Sequence, residues 1–235
     1  MSINFRWSTP SIPPVTKHII IVNAILWLTT FLFGNRGIID LNKYLALHFW
    51  QASDFHFYQL FTYMFMHDSQ GISHIFFNMF SLWMFGGLLE RVMGYKRYLI
   101  FYIVCGLGAG LVQELVWQLQ VGDFNINDRI DIGPAIIGVG EFYNMLITVG
   151  ASGAVFGILL AFGVLFPNMP IYIMFVPIPI KAKWAVLGYG ALELFFGLSG
   201  TMDNVAHFAH LGGMLFGFLL LLYWRNKGLF YHRDS

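Results

Sequence analysis

The sequence predicts an all-α membrane protein, a bundle of six transmembrane helices with N- and C-termini in the cytoplasm. Three observations lead there. Of the 235 residues, 57% are hydrophobic and 11% charged, against about 25% charged in an ordinary soluble domain. Six stretches are apolar and long enough for helices at membrane depth. Lys and Arg are unevenly divided between the connections, which orients the bundle. A net charge of +1 without a basic patch argues against a nucleic-acid partner. The single cysteine, Cys105, excludes a disulfide framework within one chain.

In order, residues 1–15 read as a short cytoplasmic tail, with Arg6 and three prolines by Pro14 but no apolar core of a signal peptide. The first span runs from about His18 to Phe33. The segment from Asn35 to Gly71 carries Phe49, Trp50, Phe55, Phe57, Tyr58, Phe61, Tyr63 and Phe65, the composition of an interfacial belt. Spans two and three are expected at His74 to Leu89 and Tyr98 to Leu119. From Gln120 to Val149 the chain is first polar and then broken by Gly133-Pro134, Gly138 and Gly140, so it reads as loop dipping toward the bundle. Spans four, five and six follow at Ser152 to Phe166, Trp184 to Gly200 and Val205 to Trp224. The bundle thus occupies residues 16–225, and residues 226–235 are a second cytoplasmic tail. Several spans are near the short limit of roughly 17 residues, as expected of buried helices or a thinned bilayer.

With the N-terminus inside, ten of the thirteen basic residues are cytoplasmic: Arg6, Lys17, Arg91, Lys96, Arg97, Lys181, Lys183, Arg225, Lys227 and Arg233. Only Arg36, Lys43 and Arg129 face out. Spans two, four and six must then begin at the outer face.

Polar residues within spans are costly and are functional candidates by default. Near the outer ends of those three helices stand His74 and Asn78, then Ser152, then His207 and His210. Each falls within roughly the first two turns, so all can meet in one cavity. Gly150 and Gly153 flank Ser152 and leave room for close approach, while the first N–H groups of a helix lack intrahelical partners. Gly153 and Gly157 make one glycine ridge, Gly213 and Gly217 another on the face of His210. Facing ridges would bring the Ser152 hydroxyl to the His210 imidazole, the pair that acyl transfer needs. Phe156, one turn below the serine, offers a ring for the imidazole to pack on. His74 and Asn78, four residues apart, could donate with the Ser152 backbone N–H to an oxyanion.

His207 competes for the base role, but its spacing to the ridge is poorer. No acid presents itself as a third member. Asp203 falls in a loop, and Glu114 and Glu193 near helix ends or mid-bundle. A Ser–His dyad is expected, with the imidazole oriented by packing. No metal or cofactor is expected, and other intramembrane proteases are disfavoured, since no His-Glu-x-x-His motif offers a zinc site and no pair of membrane aspartates an aspartic dyad.

Gly150-Ala151-Ser152-Gly153, His74-Ile-Phe-Phe-Asn78 and Ala209-His210-Leu-Gly-Gly213-Met-Leu-Phe-Gly217 resemble the motifs of the rhomboid family of intramembrane serine proteases. The resemblance extends over about Thr16 to Trp224. It includes Phe61 to His67, Glu90-Arg91 with Gly94, and Ile178 to Trp184. Where many members carry Trp-Arg, this chain reads Tyr58-Gln59, and some have tyrosine at the place of Phe156. The resemblance implies the simple bacterial six-helix form, in the cytoplasmic membrane, with the site opening to the outer side. Its implied substrates are transmembrane proteins in the lipid bilayer, with Ser152 as nucleophile, His210 as base, and His74 and Asn78 in the oxyanion hole. The alternative is a catalytically inactive, client-binding relative, although such relatives lose the serine or the histidine and this chain keeps both. A transporter is a further rival, since polar residues can line a pathway.

Overall fold

Helix α1 (Pro14–Thr29) starts four residues before the apolar run because a distant carboxylate caps it. Glu90 accepts from the Val15 N–H at 2.9 Å and from the Thr16 N–H and hydroxyl at 2.8 Å each. First-turn donors that would otherwise lack partners are thus satisfied, and the charge sits at the positive end of the helix dipole. The neighbouring Arg91 donates to the Ser11 carbonyl at 2.9 Å.

This computed structural model describes residues 11–34, 37–125, 127–172, 178–199 and 206–228. Arg6, Asn35, Arg36, Gly200, Asp203, Val205 and Arg233, which entered the sequence reading, lie outside the described residues.

After α1 the chain makes a π-helical turn to Gly34, then a short helix α2 (Leu41–Leu45), strand β1 (Leu47–His48) and helix α3 (Gln59–Thr62). Helix α4 (Ser73–Ser81) passes through a π-helical turn into α5 (Gly87–Met93), so the second apolar stretch is one rod. Gly94, at φ 77°, reverses the chain into α6 (Tyr95–Val121). Tyr98, Phe101, Tyr102, Cys105 and Ala109 of α6 are buried against the rest of the bundle. Among the described residues, Pro14–Gly34, Tyr95–Val121 and His207–Asn226 are long and apolar enough to cross a membrane, while Ser152–Leu165 is apolar but shorter.

The segment from Gln120 to Val149 is more ordered than the loop expected. Strands β2 (Arg129–Asp131) and β3 (Ile136–Gly138) pair antiparallel around Gly133, and helix α7 (Val139–Met145) follows. The glycines that signalled a break serve a hairpin and a helix start. Tyr143 of α7 is buried, with its ring edge-on to Phe49 at 5.0 Å and its hydroxyl donating to the Val121 carbonyl at 2.8 Å. Strand β4 (Ile147–Thr148) then pairs with β1, Leu47 opposite Thr148. The two outer segments are therefore sewn together directly above helix α8 (Ser152–Leu165).

The aromatic first segment also has polar anchors. Gln59 is fully buried: its amide donates to the Asp54 carbonyl at 2.9 Å and its carbonyl accepts from the His56 N–H at 3.1 Å. Glu114 accepts from the Trp50 N–H at 2.8 Å, and Gln118 from the Trp50 indole at 2.7 Å. The acid in the third apolar stretch is thus spent on holding the loop.

Strands β5 (Pro170–Tyr172) and β6 (Pro179–Lys181) form a hairpin between α8 and α9 (Ala182–Ser199). Helix α9 is peripheral; Trp184, Leu187, Phe195 and Leu198 are all exposed. Helix α10 (His207–Asn226) runs along both α6 and α8. Its approach to α8 is set by missing side chains: a Cβ on Gly213 would collide with the Gly153 carbonyl oxygen, and one on Gly157 would meet the Gly213 carbonyl at 2.9 Å.

Candidate active site

Gly150 precedes α8 with φ 135°, a conformation L side chains rarely adopt, and its N–H donates to the Tyr63 carbonyl at 3.0 Å. That turn places Ser152 in the first turn of α8. On α10, His210 lies one turn inside the helix start and is 7% exposed. The two side chains meet, with His210 Nε2 2.8 Å from Ser152 Oγ. Phe156 stacks on the imidazole, ring centres 4.2 Å apart and planes 8° from parallel.

His74, in the first turn of α4, lies across the turn from Ser152. Its Nε2 is 3.0 Å from where a Cβ on Gly150 would stand, so only glycine leaves the ring its place. The Asp68 N–H points at His74 Nδ1 at 3.4 Å. A neutral imidazole that accepts at Nδ1 carries its proton on Nε2, facing the serine. Asn78, one turn on, is 6% exposed and donates one amide hydrogen to the His74 carbonyl at 2.9 Å. Its other amide hydrogen remains for a ligand. Ser152, His210, His74 and Asn78 all line one cavity of about 930 Å³, and Tyr189 of α9 lines it too. Gly153, Gly157, Gly213 and Gly217 lie outside the cavity, in the α8–α10 and α6 contacts.

Behind His210 stands a residue for which the sequence reading found no role. Glu193 Oε2, from α9, is 2.6 Å from His207 Nδ1 and 3.0 Å from His210 Nδ1. The first contact is a hydrogen bond, whereas His210 Nδ1 has the proximity without the alignment and counts as unpartnered. His207 itself does not reach the serine; its ring centre is 6.5 Å from that of His210. An acid in an apolar helix was the available signal. Its facing residue was not legible, because periodicity within α9 does not fix its rotation against α10.

His67, in the connection before α4, is fully buried beside His74, ring centres 5.0 Å apart. Both its ring nitrogens lack a hydrogen bond of ordinary geometry. Burial, with His74 as a lesser cause, pulls its pKa down to about 3.

A family model described as the Rhomboid domain matches residues 54–227. The chain is 29% identical over 204 residues to RHOMBOID-like protein 1 of Arabidopsis thaliana, over 84% of this chain and 40% of that protein. It is 30% identical over 224 residues to the chloroplastic Rhomboid-like protein 11 of the same plant, covering 86% and 62%. It is 27% identical over 209 residues to the putative rhomboid protease YdcA of Bacillus subtilis, covering 88% and 86%. The chain thus spans about half the length of the two plant relatives.

Proposed function

We propose that this chain, which belongs to the rhomboid family, is an intramembrane serine endopeptidase that hydrolyses peptide bonds in or near transmembrane segments of membrane proteins. The observation that carries the reading is the 2.8 Å contact between Ser152 Oγ and His210 Nε2 on the wall of a cavity.

The chemistry follows from the atoms. Ser152 Oγ attacks the scissile carbonyl carbon while its proton passes to His210 Nε2. The carbonyl oxygen becomes an oxyanion, met by the His74 Nε2–H, the free Asn78 amide hydrogen and the Ser152 backbone N–H. As the intermediate collapses, the C–N bond breaks and the proton on His210 goes to the leaving amine. Water, deprotonated by the same imidazole, then releases the acyl group and restores the serine. His210 accepts at Nε2 only as the Nδ1–H tautomer, which the Glu193 carboxylate 3.0 Å away favours. The Phe156 ring holds the imidazole plane, so packing and the carboxylate share the orienting.

In this reading α1, the α4–α5 rod, α6, α8, α9 and α10 are six transmembrane segments within residues 16–225, flanked by cytoplasmic tails at 1–15 and 226–235. Helix α8 spans only about 21 Å. Its start therefore lies below the outer surface, and the cavity opens outward from the cytoplasmic membrane of a bacterial cell.

The test is covalent labelling of detergent-solubilised protein with a fluorophosphonate, read by intact mass. Wild type is expected to gain one adduct, and Ser152→Ala and His210→Ala none while remaining folded by circular dichroism. Folded wild type that takes no label would overturn the reading in favour of client binding without catalysis.

A further inference from the structure

Glu193, His207 and His210 are the one group of three potential metal ligands found among the described residues, with ligand atoms all within 4.8 Å of one another. We propose that they form an inhibitory zinc site, at which a bound Zn²⁺ disables the base that would activate Ser152. The inhibitory part rests on the protease reading above.

Three features point to a cation. Two imidazoles three residues apart on α10 converge on a single carboxylate oxygen from α9, at 2.6 and 3.0 Å. That oxygen satisfies one of them; His210 Nδ1 is left buried without an aligned partner, as is His207 Nε2 on the far side of its ring. Two imidazole nitrogens and one carboxylate oxygen are also a donor set that zinc takes with a fourth position left open. Tetrahedral zinc keeps ligand atoms about 3.3 Å apart at bond lengths near 2.0–2.2 Å. The two nitrogen–oxygen separations reach that spacing if the Glu193 carboxylate retreats by less than about 1 Å. The two ring nitrogens, within 4.8 Å of one another, complete the triangle by closing toward the same spacing, with His210 stacked on Phe156 and His207 tilted against Phe196 at 5.7 Å.

The consequence for His210 follows from its proton count. A neutral imidazole has one N–H and one lone pair. With Glu193 at Nδ1, the proton stays on Nδ1 and the lone pair faces Ser152. With Zn²⁺ at Nδ1, the lone pair is committed to the metal and the proton moves to Nε2. Nε2 can then no longer accept the serine proton. His207 undergoes the same shift, its proton moving from Nδ1 to the unpartnered Nε2. Each neutral ring keeps its single proton through the exchange. The cluster therefore has two states, one bridged by protons and competent, one bridged by zinc and silent.

The experiment uses tag-free, full-length protein in detergent, stripped with a chelator and equilibrated with Zn²⁺ alone. Bound metal is measured by mass spectrometry of the dialysed protein, and fluorophosphonate labelling is followed in parallel. Wild type is expected to bind one Zn²⁺ per chain and to label at least tenfold more slowly when saturated. His207→Gln should bind zinc at least tenfold more weakly, label at the wild-type rate without metal, and resist added zinc. Glu193→Gln gives a second reading of affinity if His207→Gln fails to fold. Folded wild type that binds no zinc overturns the proposal, as does zinc bound by the folded variants as tightly as by wild type. Zinc held through His207 and Glu193 in a protein that never labels would uphold the metal site and overturn the protease reading instead.

Discussion

Asn78 has one amide hydrogen committed to the His74 carbonyl and one free to face the cavity. If the free one meets the oxyanion, Asn78→Ala should slow labelling or cleavage by about 10²–10³-fold, with little change in KM. An unchanged kcat would remove Asn78 from the oxyanion hole. His67 makes a different prediction, about stability. It is neutral when folded down to about pH 3, whereas an unfolded histidine gains its proton near 6.5. Between those values the unfolded state binds more protons, so stability falls as pH drops, by about 1.4 kcal/mol per unit at the steepest. Thermal unfolding between pH 7 and 4 should show this slope in wild type and lose most of it in His67→Gln; an equal slope in both would assign acid sensitivity elsewhere. These residues divide by legibility. Ser152, His74, Asn78 and His210 stood out because polar groups in apolar helices are few and lay at matching depth. Glu193 was read without a role, because its partners are set by packing between α9 and α10, which no single-helix pattern encodes.

At the scale of elements, the closeness of α8 and α10 is what allows a serine to touch an imidazole from another helix. Gly213 tests this. Its Cβ would collide with the Gly153 carbonyl oxygen and fall 2.7 Å from its carbon, backbone atoms that can yield only by moving a helix. Gly213→Ala should therefore lower stability by about 1–3 kcal/mol, with at least tenfold slower labelling. Gly188→Ala on α9, where nothing lies within 4 Å of an added Cβ, should change neither. Equal thermal midpoints and labelling rates for the two variants would sink the close-approach argument. The long helices were legible from hydropathy. Their starts were less so: α1 begins at Pro14 because Glu90 caps it from 74 and 75 residues away. The outer strands were hidden for a related reason. β1 and β4 have two residues each and pair across a hundred positions, too short for alternation to register.

At the scale of the molecule, length and composition alone qualify three of the described helices as membrane-crossing. Among the others, α8 is apolar but has only 14 residues. Connectivity supplies what hydropathy does not. Gly153 meets Gly213 and Gly157 meets Gly217, so α8 and α10 run parallel, and two crossings must separate their starts. The β5–β6 hairpin returns the chain at the foot of α8, where the Ala182 N–H donates to the Met169 carbonyl at 2.9 Å. Lys181, Lys183, Arg225 and Lys227 then share the end of the bundle away from Ser152, together with Arg91, Lys96 and Arg97 at the α5–α6 reversal. In the proposed topology that clustering is what assigns this end to the cytoplasm. Cys105 is the single cysteine and is buried, so the unsubstituted protein serves as the background for single reporter cysteines. In intact cells an impermeant maleimide should label Lys43→Cys and Arg129→Cys but spare Lys96→Cys and Lys227→Cys until the membrane is opened. The reverse pattern would invert the bundle and turn the cavity toward the cytoplasm.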